Sequence, residues 1–135
     1  MRRRCLMRHG TNGERASAAV EFALVLPLVL IMALALVQVG LLVKDQLILA
    51  GAARAGAREG AVSRDDGTVR QSAQDAAVSL DPGRLEIQIE REGGTGSAVR
   101  VSVLYHAPVA VPFVGWLFPS SVDLSANATM RQETG

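Results

Sequence analysis

Few side chains in this 135-residue sequence have the type and spacing to do chemistry. There are two histidines, His9 and His106, and one cysteine, Cys5. His106 has no Cys, His or acid beside it at metal-ligand spacing, so it reads as a satisfied or exposed strand histidine. Ser63-Arg64-Asp65-Asp66 is a polar turn, and no nucleophile elbow or phosphate loop occurs. The run from Gly93 to Gly96 lacks the Lys and following helix of a phosphate cradle. Asn127-Ala128-Thr129 fits a glycosylation triplet, a pattern short enough to be common by chance. The expectation is a protein without catalytic, cofactor or metal residues, and therefore not an enzyme. With one cysteine, no intrachain disulfide can form.

One acid stands out. Glu21 directly precedes Phe22–Val43, about 22 residues without a charge. An acid there gains nothing from lipid, so it either lies at headgroup depth or seeks a cation. The uncharged run makes about 33 Å of helix, enough to cross a hydrocarbon core of about 30 Å. Pro27, in its second turn, removes a backbone donor and is expected to kink the helix. Arg2, Arg3, Arg4, Arg8 and Arg15 precede the run, opposed only by Glu14. The far side begins Lys44-Asp45, nearly balanced. The positive-inside bias then places the N-terminus in the cytoplasm and the remainder outside. The basic tail has no interleaved aromatics, so nucleic acid is not an expected partner. A cleaved signal peptide is the rival reading: Ala50-Gly51-Ala52 has the small-residue pattern, though Lys44 and Asp45 part it from the apolar run.

Ala18-Ala19-Val20-Glu21-Phe22-Ala23-Leu24-Val25-Leu26-Pro27 resembles the signature of TadE-like pseudopilins of the Flp, or tight-adherence, pilus machinery. Ala52-Ala53-Arg54-Ala55-Gly56-Ala57-Arg58 is similar to the segment that follows the span in that family. The resemblance implies a pilin-like subunit with a basic leader cut by a prepilin peptidase. It implies Ala16 as the last leader residue and Ser17 as the first mature one. Ala16 stands where such leaders ordinarily end in Gly. It also implies that Glu21, at the fifth mature position, meets a neighbour's N-terminal amine during assembly. Phe22 matches the aromatic after the acid. Other pilins or pseudopilins and the assembly platform are the implied partners, beside the lipid bilayer.

The helix is expected to continue to about Gly60. Ala50, Ala53, Ala57 and Gly60 recur at helical spacing as a small-residue seam. Arg54 and Arg58, four apart, share a face as a basic stripe. Either the seam and stripe face partner subunits, or the helix covers its own domain there. Asp65 or Asp66 should cap a second helix whose apolar face is Val69, Ala73, Ala76, Ala77 and Leu80. Leu85, Ile87 and Ile89 alternate with polar residues, as do Val99, Val101, Val103 and Tyr105 after a Gly-rich turn. That predicts an antiparallel hairpin, with a third strand at Val122, Leu124, Ala126, Ala128 and Met130. Pro108 to Ser120 holds most of the aromatics and reads as a flap over the sheet or a surface docked on a partner or the outer leaflet.

The expected fold class is α+β. It comprises a basic leader at 1–16, a transmembrane helix at 17–43 and a pilin-like extracytoplasmic domain at 44–135. The expected function is a minor pseudopilin in pilus or secretion-apparatus assembly. The alternative is a bitopic, membrane-anchored interaction module that joins no filament.

Overall fold

The computed structural model describes residues 11–93, 96–109 and 120–133, with side chains from Ala16 onward. The leader arginines, Cys5 and His9, and the apolar segment 110–119, lie outside the described residues or side chains. The chain divides into two compact units, Met1–Leu36 and Val37–Gly135.

Helix α1, Thr11–Val62, supplies the described part of the first unit and continues into the second. Its Ala and Leu content favours helix at nearly every position. Pro27 lies inside it. The helix outlasts the expected end at Gly60 by two residues, and Ser63 N–H still donates to the Glu59 carbonyl at 2.8 Å.

In the second unit, α2 spans Asp66–Ala76. Asp65 caps it, accepting from the backbone N–H groups of Gly67 and Thr68 and from Thr68 Oγ1 at 2.6 Å. Val69, Ala73, Ala77 and Leu80 are buried as expected, but Ala76 is exposed. A 3-10 turn, Pro82–Arg84, capped by Asp81, leads into the sheet.

Strands β1 (Leu85–Arg91), β2 (Ala98–Pro108) and β3 (Ser121–Arg131) form one antiparallel sheet in the order β1-β2-β3. In the β1–β2 turn Gly93 and Gly96 have positive φ, 133° and 87°, which side-chain-bearing residues avoid. All three strands alternate as expected. Val99, Val101, Val103, Tyr105 and Ala107 are buried on central β2. Leu85, Ile87 and Ile89 on β1, and Leu124, Ala126, Ala128 and Met130 on β3, pack around them. The opposite face is polar, so the helices cover only one side of the sheet.

Hydrogen bonds at three levels mark how helix α1 lies along this sheet. Gln38 Nε2 donates to the Pro108 carbonyl at 3.4 Å and Gln46 Nε2 to the Ser125 carbonyl at 2.8 Å. The Glu133 N–H donates to the Ala61 carbonyl at 2.9 Å. Pro108 pairs with Ser121, so Gln38 marks the start of β3. Gln38 to Gln46 is about 12 Å of helix rise, and Ser121 to Ser125 is about 13 Å of strand. Strand β3 therefore runs alongside α1 in the same direction.

Candidate functional site

The membrane-facing candidate is built from α1 alone. From Ala16 to Val37 every residue is exposed. Among the described helices, α1 is the one long and apolar enough to cross a bilayer, and none of its most apolar stretch is buried. Exposed Val20, Phe22, Leu24, Val25 and Leu28 would be unfavourable in water and suit lipid or a neighbouring helix.

Glu21 is the only acid on this stretch. Ser17 Oγ donates to Glu21 Oε1 at 3.4 Å, one turn earlier. This bond is long and exposed, leaving most of the carboxylate's acceptor capacity unfilled among the described residues. Leu24, Val25 and Leu28 follow at i+3, i+4 and i+7, so the acid heads an apolar stripe. Phe22 sits about 100° round the helix from Glu21, 66% exposed, on a different face. Ala16 begins the stretch beside Ser17, and Pro27 lies within it.

The second candidate, the small-residue seam, packs inward. Ala53, Ala57 and Gly60 are buried against the protein's own sheet and α2, with Ala50 half-buried. Of the two readings open from sequence, the helix covering its own domain is the observed one for the seam. Leu49, Ala52, Gly56 and Ala61 join it, and sequence reasoning missed all four. A Cβ built on Gly56 would stand 3.1 Å from Val101 Cγ1 and 3.2 Å from Ala73 Cβ. One on Gly60 would stand 3.1 Å from Val99 Cγ2. The small residues let α1 approach the sheet closely.

Arg54 and Arg58 remain exposed beside the seam. With Glu59, Val62, Ser72 and Met130 they line an open cleft. This arrangement offers cations to solvent, with no acid of the chain in ion-pair contact with them among the described interactions.

His106 has partners that chain spacing hid. Its Nδ1 lies 2.6 Å from Asp123 Oδ1, directly across β3, and its Nε2 lies 3.9 Å from Glu86 Oε1 on β1. The acids address opposite ring nitrogens, so they do not converge on one coordination point. Among the described residues no group of three or more His, Cys, Asp or Glu is arranged to hold a metal ion. The sheet register alone could have revealed these pairs.

Comparison with known proteins adds one match. The model of the TadE-like protein family matches residues 16–58, the stretch that carries Glu21, the apolar helix and the seam as far as Ala57. No curated protein and no solved structure matches the chain.

Proposed function

From the TadE-like match over residues 16–58, we propose that this chain acts in assembly of a Flp-type pilus or a related secretion apparatus, as a minor pseudopilin-like subunit. It works as a structural protein through helix–helix and subunit contacts. The observation that carries the reading is an acid heading an exposed apolar helix with only a weak partner among the described residues. In lipid, a carboxylate in that position needs a cation from elsewhere. A neighbouring subunit's N-terminal amine supplies one, and processing between Ala16 and Ser17 would create such an amine. The apolar helix at 17–43 holds the protein in the cytoplasmic membrane, with the N-terminus in the cytoplasm and the sheet outside. Arg54 and Arg58 face the partner subunits or platform.

Replacing Glu21 with Ala tests this. Membrane insertion should be unharmed, because a boundary charge is removed. Crosslinking to other pilus components should fall, since the partner cation loses its counter-charge. Glu21→Asp should restore it in part. A Glu21→Ala protein that crosslinks like the parent would reduce Glu21 to an interface residue. It would favour the bitopic module that joins no filament. Intact mass of the membrane-extracted chain reads the processing separately: a start at Ser17 supports cutting, and a full-length mass shows that Ala16 blocks it.

A further inference from the structure

We infer that the outer hydrocarbon boundary meets α1 at Gln38 rather than at Val43, and that the Pro108–Ser121 end of the sheet rests on the lipid headgroups. The inference rests on the reading of α1 as a single membrane span.

By charge alone the span would end at Val43. The hydrogen bonds along the sheet contradict that end. Gln38 is level with Pro108 and Ser121, and Gln46 is level with Ser125. Asp123, midway between Ser121 and Ser125, is therefore level with about Leu42. Its carboxylate is 66% exposed and holds His106, which is 40% exposed, with Glu86 on the far side of the ring. Hydrocarbon reaching Val43 would engulf this polar cluster, and charged groups at that depth are costly unless they face protein or water.

The backbone points the same way. The Val109 N–H donates to Ser120 and the Gln132 N–H to Ser97, so even-numbered residues of β3 bond toward β2. Odd-numbered residues, Ser121, Asp123 and Ser125 among them, turn their N–H and C=O groups outward. No strand lies beyond β3 among the described residues. Open sheet edges exposed to lipid do not occur within the hydrocarbon region. The Gln46 side chain satisfies the Ser125 carbonyl, and hydrocarbon offers no partner to the outward groups of Ser121 and Asp123.

The boundary consequently falls where the sheet ends. Immediately before Gln38, every residue from Ala16 to Val37 is exposed and free to meet lipid. A span of about 20 residues counted back from Val37 begins near Ala18. Its centre lies near Pro27 and Leu28, instead of near Met32 and Ala33 for the uncharged run. Glu21 then lies just inside the inner hydrocarbon edge, which sharpens its need for a partner cation.

Depth-dependent fluorescence quenching decides between the two. Full-length protein carrying Cys5→Ser would be given single substitutions Leu24→Cys, Leu28→Cys, Met32→Cys, Leu36→Cys and Leu41→Cys. Each would be labelled with bimane and placed in phosphatidylcholine vesicles bearing nitroxides at graded acyl depths. The deepest position should be Leu28→Cys, with Leu41→Cys at headgroup depth. A maximum at Met32→Cys with Leu41→Cys inside the acyl region would overturn the inference and leave the span intact. Loss of depth dependence at every position would remove the span reading, and the inference with it.

Discussion

The Arg91 guanidinium joins the end of one helix to the start of the next. Its Nε and Nη2 donate to Asp66 Oδ1 at 3.0 and 2.9 Å, at the first turn of α2. Nη1 reaches the Gly60 carbonyl and Nη2 the Ser63 carbonyl, each at 3.2 Å. These carbonyls belong to the end of α1, where the helix has no intrahelical donors left to offer. A planar fork of five N–H donors makes all four bonds from three separate nitrogens, one more than the three donors on the single nitrogen of an ammonium.

Arg91→Ala should therefore destabilise the protein by about 1.5–3 kcal/mol, the range for hydrogen bonds to charged groups. Arg91→Lys should recover less than half of that. Urea unfolding of the full chain in detergent, followed by circular dichroism, measures both. A midpoint unchanged in Arg91→Ala would show the cluster to be ornamental.

Two glycines of α1 should respond in opposite directions to the same substitution. Gly51 has nothing within 4 Å of its added Cβ, so Gly51→Ala should stabilise by about 0.5–1 kcal/mol through helix propensity. Gly56 faces Val101 and Ala73 at 3.1 and 3.2 Å, in a close-packed core. Gly56→Ala should lose more to overpacking, about 1–3 kcal/mol, than it gains in propensity. Thermal midpoints of the two variants should fall on either side of the parent.

Acid should loosen the start of α2. The hydrogen bond from Thr68 Oγ1, then the backbone N–H groups of Gly67 and Thr68, hold the Asp65 carboxyl below its ordinary value of 3.8. A lowered folded value means the charged cap contributes fully above about pH 3.8, and the contribution is lost as pH falls through the folded value. The parent should therefore lose stability in that window relative to Asp65→Asn, whose side chain does not titrate there. Parallel pH profiles for the two proteins would refute the charged cap.

Sidedness has its own test. Single cysteines at exposed Arg64 and Ser79 should react with an impermeant maleimide applied to intact cells, while native Cys5 stays protected. Labelling of Cys5 alone would invert the orientation.

The strands were legible because Leu85 to Ile89, Val99 to Tyr105 and Val122 to Met130 alternate with polar residues, and one buried face imposes that alternation. The α2 cap was legible to within one residue, Asp65 or Asp66, for a similar reason: a short acid before a helical pattern has one favourable use. The inward face of α1 was half hidden. Ala52, Gly56 and Ala61 offer little hydropathy contrast with their exposed neighbours, so periodicity cannot distinguish a face that packs from one that is merely small. The partners of Arg91 and His106 were invisible for another reason. They come from other elements, Asp66 lying 25 positions from Arg91 and Asp123 17 from His106, and only strand register and helix placement bring them together.

The parallel course of β3 and α1 has a mechanical meaning. Tension applied along the helix axis pulls along the strands as well, so the contacts at Gln38, Gln46 and Ala61 are loaded side by side. They must slide in shear together, as overlapping splints do, and cannot be peeled apart one at a time. A strand set crosswise to the helix would unzip from one end under the same pull. The domain is thus braced against the direction in which a membrane anchor would be tugged.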